Sequence, residues 1–284
     1  MKNCFLGLDL GGTNIHTGLV TKQGEIIKER VVPTETWKGR EAVIKNIIRA
    51  ISPLMKSEPK GIGIGAPDCD YTTGKLVKCV NIPMDNFNIV SFVKKKFHAQ
   101  VKADNDANCF ALGESMFGAG KNYKHIIGIT IGTGFGSGII INKEVYHGKG
   151  KAGELGHVTI NYSGPKCSCG NIGCVEEYVS ARAITRAYGE NKTPLEVRNL
   201  ALEGDEKAVK VFEDFGFYLG VSLVSIVNAF DPEIVVIGGN IAKSWDLFSQ
   251  KMLETFNERK FLDTKIVKSK LKNAGLLGAA ALFF

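Results

Sequence analysis

Residues 5–20 read F-L-G-L-D-L-G-G-T-N-I-H-T-G-L-V, in which a glycine turn separates two apolar runs. The pattern predicts two strands, Phe5 to Leu10 and Ile15 to Val20, joined by a hairpin turn that opens at Asp9. Glycines in that turn let backbone N–H groups approach an anion, and Thr13 can add a hydroxyl group. It is not a Walker loop, because no G-K-[ST] follows, and an ordinary hairpin with an Asp-stabilised turn would explain this segment equally well.

The same order of strand, glycine turn and strand returns in the second half of the chain. Ile126 to Ile131 predicts a strand, the residues G-T-G-F-G-S-G from Gly132 predict a turn, and Gly138 to Ile141 predicts a second strand. Two such hairpins suggest a duplicated architecture, and 284 residues are enough for two lobes that share a cleft. A pair of these turns favours anion binding over two ordinary hairpins.

Apolar β-rich runs alternate with amphipathic segments along the chain, which is the pattern of an α/β protein. Further predicted strands are Ile26 to Val32, Lys60 to Gly65, Val101 to Ala103 and Ile234 to Ile237, and the predicted helices are Arg40 to Leu54, Ile89 to Phe97, Ala107 to Phe117 and Asp205 to Phe230. Glycines break the chain after Phe117. We therefore predict an N-terminal lobe of residues 1–118, completed by a C-terminal helix of residues 274–284, and a C-terminal lobe of residues 119–273.

Composition and charge argue against several classes of protein. The formal net charge is +7, but the lysines are scattered and Lys94 to Lys96 lie on the exposed face of a predicted helix, so nucleic-acid binding is not expected. Asp9 interrupts the apolar start of the chain, so we expect neither a signal peptide nor a membrane span, and a cytoplasmic location. In that reducing compartment, four cysteines without metal-like spacing are expected to be core thiols: Cys4, Cys69, Cys79 and Cys109.

A second group of cysteines has the spacing of a metal site. The segment from Glu154 to Glu176 contains E-L-G-H and then C-S-C-G-N-I-G-C-V-E. Three thiols and one imidazole can close a tetrahedral Cys3His zinc site, which is structural because no position is left for water. Buried thiols or a disulfide are the alternatives, and a disulfide is disfavoured because C-x-C is too tight and nothing else looks secreted. The predicted zinc ligands are His157, Cys167, Cys169 and Cys174.

The segment D-N-D-A-N, residues 104–108, lies between a predicted strand and a predicted helix. Asn105 or Asp106 could simply cap that helix. In the functional alternative, Asp106 is a general base that accepts a proton from a hydroxyl group as it attacks phosphorus, and Asn105 holds a neighbouring hydroxyl. Asp9, an acid beside a proposed phosphate site, would repel phosphate unless a cation intervened, which predicts Mg²⁺ there.

Together these segments resemble the ROK family of sugar kinases (repressor, open reading frame, kinase), within the actin and hexokinase-like fold. The resemblance covers essentially the whole chain and rests on an ordered set of motifs. They are D-L-G-G-T-N from Asp9, G-I-G-A-P from Gly63, N-D-A-N from Asn105, G-T-G-F-G-S-G from Gly132, E-L-G-H with the cysteine segment through Glu176, and D-P-E-I-V-V-I-G-G from Asp231. The implied fold is a two-lobed, ribonuclease H-like α/β structure with the active site in the interlobe cleft.

The resemblance implies an ATP-dependent kinase and assigns roles to residues. Asp106 is the implied catalytic base, the zinc site holds sugar-facing groups in place, and Mg²⁺ is implied near Asp9, bound largely through water. The residues implied to contact the sugar are Asn81, Asn105, Asp106, Glu154, His157 and Glu176. Those implied to surround ATP and its phosphates are Asp9, Gly11, Gly12, Thr13, Gly132, Thr133, Gly134, Gly238 and Gly239.

The predicted reaction transfers the γ-phosphoryl group of ATP to the 6-hydroxyl of a hexose. Glucose is the expected sugar, because Glu154 and His157 are both present and the loop after Asn81 gives no sign of room for an N-acetyl group. Allose, fructose and an N-acetylhexosamine such as N-acetylmannosamine are the alternatives. The resemblance also implies a homodimer.

Two other classes of protein are disfavoured. A sugar-responsive repressor would carry a DNA-binding module ahead of the first phosphate turn, and that turn begins at Asp9. An actin-like or chaperone-like ATPase would have no use for the sugar-facing carboxylates and the zinc site.

Three positions depart from the family pattern. Asp68 stands where the family usually has glycine after the proline, and the segment after Asn81 lacks the usual tryptophan. Asn240 replaces the more common glycine or serine after Gly239. We expect these departures to affect which sugar is used rather than the chemistry.

Overall fold

Strands and helices alternate along the chain in a computed structural model that describes residues 3–189 and 191–284. The strands are β1 (Cys4–Leu10), β2 (Asn14–Thr21), β3 (Ile26–Pro33), β4 (Ile62–Ala66), β5 (Cys69–Asp70), β6 (Lys75–Leu76), β7 (Phe87–Asn88), β8 (Val101–Asn105), β9 (Ile126–Ile131), β10 (Phe135–Ile141), β11 (Glu144–Val145), β12 (Ile234–Gly238) and β13 (Lys265–Lys268). The helices are α1 (Arg40–Met55), α2 (Ile89–Phe97), α3 (Asp106–Phe117), α4 (Ala181–Tyr188), α5 (Pro194–Leu202), α6 (Glu206–Phe230), α7 (Trp245–Arg259) and α8 (Ala274–Ala281).

The chain divides into two compact units, each with its own apolar core. The first unit comprises Met1–Lys124, Gly138–Ala152 and Lys270–Phe284. The second comprises His125–Ser137 and Gly153–Ser269.

The first unit is built on a five-stranded mixed sheet in the order β3-β2-β1-β4-β8. β1, β2 and β3 pair antiparallel as successive hairpins, whereas β1, β4 and β8 run parallel. Asp9 lies beside Gly65 in the register, and Gly65 lies beside Asp104. The residues that follow these three parallel strands therefore meet at one edge of the sheet, where ligands bind in open α/β sheets.

Small residues let α8 lie directly against this sheet. A Cβ atom on Gly63 of β4 would clash with the carbonyl oxygen of Ala279, and one on Gly7 of β1 would clash with the same helix. On its other side, a Cβ atom on Gly278 would clash with the carbonyl oxygen of Cys109 in α3. The C-terminal sequence A-G-L-L-G-A-A-A thus packs backbone against backbone on both elements.

In the second unit, β12 pairs in parallel with β9 on one side and with β13 on the other. The full order of this second sheet is β11-β10-β9-β12-β13. Among the described residues, α6 is the one helix that is long and apolar enough to cross a membrane. Its apolar side chains, among them Phe212, Leu219 and Leu223, lie in the core of the unit, so its composition is that of a core helix.

The α/β class is confirmed, and the predicted elements agree with the observed ones within a few residues. The clearest difference is β10, which begins at Phe135 rather than Gly138, so that the second turn contains only Gly132–Gly134. Phe135 is 5% exposed and belongs to the core of the second unit, which favours a strand at that position. The elements that no pattern predicted are β5 to β7, β11, β13, α4, α5 and α7.

Candidate active site

Asp9 lies at the carboxyl end of β1 with its carboxylate packed against α8. A Cβ atom added to Gly275 would lie 2.8 Å from Oδ2 of Asp9. Burial, and to a lesser degree the negative charge of Asp106, raises the pKa of Asp9 from 3.8 to about 7. A carboxyl group perturbed by burial and by a second acid marks this edge of the sheet as a candidate site.

A divalent cation would remove the conflict between these two acids. Burial and like charge both favour the protonated form of Asp9, whereas a bound cation favours the ionised form. Asp9 supplies the hard carboxylate oxygens that Mg²⁺ takes in proteins. The donor set at this edge of the first sheet therefore fits Mg²⁺.

Asn105 ends β8, and Asp106 begins α3. Oδ1 of Asn105 and Oδ1 of Asp106 each accept the backbone N–H of Ala107, at 2.9 Å. Asn105 is therefore the N-cap of α3, and Asp106 is the first residue of the helix. These hydrogen bonds hold the two side chains at the edge of the sheet, and a carboxylate fixed in this way can also take part in proton transfer.

Asp104 anchors the same segment from inside the first unit. Its Oδ1 accepts the backbone N–H of Asn105 at 2.7 Å and the side-chain amide of Asn108 at 2.8 Å, and its Oδ2 lies 2.7 Å from Nε2 of His147. The ring of Tyr71 stacks on His147 with the centroids 3.7 Å apart. No motif indicated His147 or Tyr71, because each contacts residues that are distant along the chain.

The first glycine turn and Asn81 lie together in the first unit. The backbone N–H of Gly11 donates to the carbonyl oxygen of Asn14 at 3.0 Å, which closes the turn. A Cβ atom on Gly12 would lie 3.4 Å from Cβ of Asn81, so the loop that carries Asn81 packs against the turn. The side chain of Thr13 is exposed beside them. Predicted phosphate-binding and sugar-binding residues of this unit are thus neighbours.

In the second unit, the glycine turn after β9 lies beside the end of β12. Gly238 is paired with Thr130 across these two parallel strands. Gly239 has a φ of 88°, and a Cβ atom there would clash with the backbone of Ile131, so the position requires glycine. The turn Gly132–Gly134 and the two glycines after β12 therefore share one edge of the sheet.

Glu176 is tied to that turn. Its Oε2 accepts the backbone N–H of Phe135 at 2.9 Å, and a Cβ atom on Gly134 would clash with the same oxygen. Its Oε1 forms an ion pair with Nη2 of Arg182 at 2.5 Å, and the Glu176 side chain is only 11% exposed. Thr133, in the same turn, is exposed. Glu176 thus connects the cysteine segment to the glycine turn, and Arg182, which no motif indicated, completes the contact.

The four predicted zinc ligands come together in the second unit. Their ligand atoms all lie within 4.8 Å of one another. Sγ of Cys169 and Sγ of Cys174 are 3.7 Å apart, and Sγ of Cys167 is 3.6 Å from Nδ1 of His157. Tetrahedral zinc with Zn–S bonds of about 2.3 Å places its sulfur ligands about 3.8 Å apart. The seven cysteines all lie in the described residues and are free thiols, so these four side chains fit a zinc ion.

Glu154 and His157 form the exposed rim of this cluster. Nδ1 of His157 faces the thiols, while its Nε2 lies 4.0 Å from Oε2 of Glu154. The side chains of His157 and Glu154 are 33% and 52% exposed. One ring nitrogen can therefore bind a metal while the other faces a ligand that Glu154 also reaches.

Comparisons with known protein sequences identify one family for nearly the whole chain. The sequence profile of the ROK family matches residues 5–284. The glucokinase of Halalkalibacterium halodurans is 34% identical over 279 residues, which cover 89% of this chain and 84% of that protein. The xylose repressor of Caldicellulosiruptor bescii is 33% identical over 308 residues, which cover 98% of this chain and 77% of that protein.

Among solved structures, the chain is similar to a ROK family glucokinase from Streptomyces griseus in complex with glucose and AMPPNP. The TM-score is 0.86 at 28% sequence identity, and the match covers 99% of each chain. The predicted actin and hexokinase-like fold is therefore confirmed.

Proposed function

The chain belongs to the ROK family and is an ATP-dependent sugar kinase, and we propose that it phosphorylates the 6-hydroxyl of a hexose, with glucose as the preferred sugar. The observation that carries this proposal is the carboxyl edge of the first sheet. There the carboxylate of Asp106 accepts the backbone N–H of Ala107, and it lies beside Asp9 and next to a glycine turn. The similarity to the glucokinases of Halalkalibacterium halodurans and Streptomyces griseus supports glucose as the acceptor.

Asp106 accepts the proton of the attacking hydroxyl group. Its carboxylate is already oriented by the backbone N–H of Ala107, so little reorganisation is needed when the proton moves. Asn105 bonds the neighbouring hydroxyl of the sugar through its amide. Since catalysis of phosphoryl transfer depends mainly on positioning and electrostatic stabilisation, a base fixed at the sheet edge suits the reaction.

Backbone N–H groups of the glycine turns bind the phosphates, apart from those of Gly11 and Gly132, which donate to the carbonyl oxygens of Asn14 and Gly134 and so close the turns. Asp9 would hold Mg²⁺ largely through water, and the cation would supply positive charge that offsets the charge of the phosphates. Glycines in these turns let the backbone approach the phosphates without a side chain in the way. The phosphate-binding residues are Gly11, Gly12, Thr13, Gly132, Thr133 and Gly134, and Gly238 and Gly239 lie on the adenosine side.

Glu154 and Nε2 of His157 bind hydroxyl groups of the sugar. With Nδ1 of His157 bound to zinc, Nε2 would carry the proton that it donates, because the metal would fix the tautomer of the ring. Glu176 also contacts the sugar. Its carboxylate has about four lone-pair sites, and the hydrogen bonds from Phe135 and Arg182 use two of them, so it can accept further bonds from hydroxyl groups. Asn81 completes the set from the loop beside the first glycine turn.

An assay with both substrates and direct detection of the phosphosugar tests the proposal. The purified protein receives ATP and Mg²⁺ with glucose, allose, fructose, mannose or N-acetylmannosamine in turn. We expect glucose 6-phosphate with the highest kcat/KM, and ADP release that depends on the sugar. ADP release that is equal without sugar, or the absence of phosphosugar from the whole panel, would contradict the proposal.

A sugar-responsive repressor is the second candidate, because the chain also resembles a xylose repressor over 98% of its length. A gel shift with promoter DNA, in the presence and absence of xylose, separates the two functions. We expect no shift from this chain. We also place the protein in the cytoplasm, where ATP is available, and propose that it forms a homodimer, which sedimentation equilibrium tests.

A further inference from the structure

Trp37 is one of two tryptophans in the chain and lies in a short 3-10 helix, Thr36–Lys38, between β3 and α1. Its side chain is 75% exposed. Single exposed apolar side chains are common on protein surfaces. This indole, however, lines a pocket of about 340 Å³ together with the loop of residues 79–85. That volume falls within the range of about 300–1,000 Å³ that is usual for small-molecule sites.

Arg40, the first residue of α1, fixes the two walls of this pocket to each other. Its Nη2 donates to the backbone carbonyl oxygen of Asp85 at 2.7 Å, and its Nε donates to that of Pro83 at 3.3 Å. The backbone N–H of Cys79 donates to Oδ1 of Asp85 at 2.8 Å, which closes the loop on itself. These bonds hold the walls of the pocket in place, which lowers the entropic cost of binding.

The pocket lies beside the carboxyl edge that holds Asp106. Asn81, which lines the pocket, packs against the first glycine turn at Gly12. Sγ of Cys79 donates to the carbonyl oxygen of Pro67, directly after β4, at 3.3 Å. Burial raises the pKa of the Cys79 thiol to about 12, and the charges of Asp68, Asp85 and, least, Asp106 contribute to this shift. All of these residues belong to the first unit.

We propose that the indole of Trp37 is the surface on which the hexose ring packs, with the side chains of Asn81 and Asp85 bonding hydroxyl groups at the edge of the ring. This inference rests on the proposed function, because it names a specificity-determining residue for the same sugar. An aromatic wall with a few polar groups around it is the usual composition of a small-molecule site. Tryptophan also offers a large, rigid apolar face.

An indole selects among hexoses by the shape of the ring face. In the β anomer of glucose every ring hydroxyl group is equatorial, so both faces of that ring present only C–H bonds. Allose has an axial hydroxyl on carbon 3 that projects from one face, and mannose has an axial hydroxyl on carbon 2 that projects from the other. Whichever face packs on Trp37, one of these two epimers loses the contact. Trp37 therefore favours glucose over at least one of them.

Steady-state kinetics test this role. Trp37→Ala should raise the KM for glucose about tenfold and leave the KM for ATP unchanged, because the lost packing concerns the sugar alone. The preference in kcat/KM for glucose over allose or over mannose should shrink, and the epimer that gains shows which face is covered. Trp37→Phe should restore most of the affinity. The matched control is Phe261→Ala, which removes another exposed aromatic ring, 86% exposed, in the second unit.

Fluorescence gives a readout that does not depend on catalysis. Trp245→Phe leaves Trp37 as the single tryptophan, and a phenylalanine can keep the packing of the Trp245 ring, whose centroid is 5.6 Å from that of Phe248. Titration with glucose in the absence of ATP should change the emission of Trp37 until the site is saturated. If Trp245→Phe does not fold, the difference in response between the parent and Trp37→Phe gives the same information.

The outcomes separate this inference from the proposed function. If the parent phosphorylates glucose but Trp37→Ala keeps its KM and its preference over both epimers, the role of Trp37 is wrong and the kinase stands. If Trp37 emission responds to glucose but no phosphosugar forms, sugar packing stands and the proposed reaction is wrong. If neither sugar binding nor phosphosugar is detected, both are wrong.

Discussion

Asp9 is held where burial and the charge of Asp106 oppose its ionisation. Its pKa is about 7 in the folded chain, against 3.8 for an ordinary aspartate. Between these pH values the folded state binds a proton that the unfolded state has released, so the stability contributed by this group is full at low pH and falls as the pH rises toward 7. A buried acid that destabilises the fold at neutral pH is consistent with a cation-binding role.

Asp9→Asn should therefore make the fold more stable than the parent at pH 8, by about 1–3 kcal/mol, while abolishing phosphoryl transfer. The difference should shrink as the pH falls below 7, because the parent's Asp9 then becomes protonated. Urea unfolding at pH 5.5 and pH 8 without Mg²⁺ measures the free energy of unfolding of the parent and the variant. The control is Asp246→Asn, which changes an exposed aspartate. A stability difference that does not change with pH would contradict the assignment.

Asp106→Asn tests the catalytic base. An asparagine can still accept the N–H of Ala107, so the cap and the fold should be kept. The kcat should fall by about two to four orders of magnitude, since an amide cannot accept the proton, and sugar affinity should change little. Kinetics with glucose and ATP, together with a thermal melt, check both parts. A variant with near-normal kcat would refute the role of Asp106.

At the scale of elements, the cysteine segment of the second unit has little regular structure. It contains two three-residue 3-10 helices, Leu155–His157 and Val175–Glu177, and two isolated antiparallel bridges, Thr159 with Cys174 and Lys166 with Ile172. Such a segment has little repetitive hydrogen bonding to hold its shape. A metal bound by His157 and three thiols would fix Glu154 and Glu176, which flank the ligands, and binding free energy would become folding free energy.

Cys169→Ser should lower both the thermal stability and the affinity for sugar, because it removes one of the four predicted zinc ligands. Ser168→Ala, at the exposed neighbouring position, is the matched control and should behave like the parent. Metal analysis of the parent should find about one zinc per chain. Active parent protein purified without zinc would show that the cluster has another role.

At the scale of the whole molecule, the proposed binding groups for the two substrates are distributed over both units. Glu154 and His157, assigned to the sugar, lie in the second unit, and so does the second phosphate turn at Gly132. Asp106 and the first phosphate turn lie in the first unit. Because the second unit holds proposed groups for both substrates, separate substitutions in that unit can weaken sugar binding alone or nucleotide binding alone.

Glu154→Ala should raise the KM for sugar by an amount equivalent to about 2 kcal/mol and leave the KM for ATP nearly unchanged. Gly132→Val should do the opposite: no atom lies within 4 Å of a Cβ atom there, so the fold should accept the side chain, which would then obstruct phosphate. Kinetic titration of the sugar and of ATP, in the parent and in both variants, measures the KM for each substrate. If the two variants affect both substrates alike, the division of roles is wrong.

The sequence by itself determined the features that depend on neighbours in the chain. Alternating apolar runs and glycines predicted the hairpin of β1 and β2, and helical periodicity predicted α2 with its observed limits, Ile89–Phe97. The spacing from His157 to Cys174 predicted that four side chains able to bind a metal would come together, and their ligand atoms lie within 4.8 Å of one another. These signals are readable because strand alternation, helix periodicity and ligand spacing are all local properties of the chain.

Only the tertiary structure decided which distant side chains meet. His147 and Asp104 are separated by 43 residues, and Glu176 and Phe135 by 41, yet each pair forms a direct contact. These contacts depend on strand register and on how loops pack over the sheet edges, which no short pattern encodes. The same reason applies to Asp9, because its pKa is set by burial under α8 and by Asp106, and neither is visible until the chain is folded.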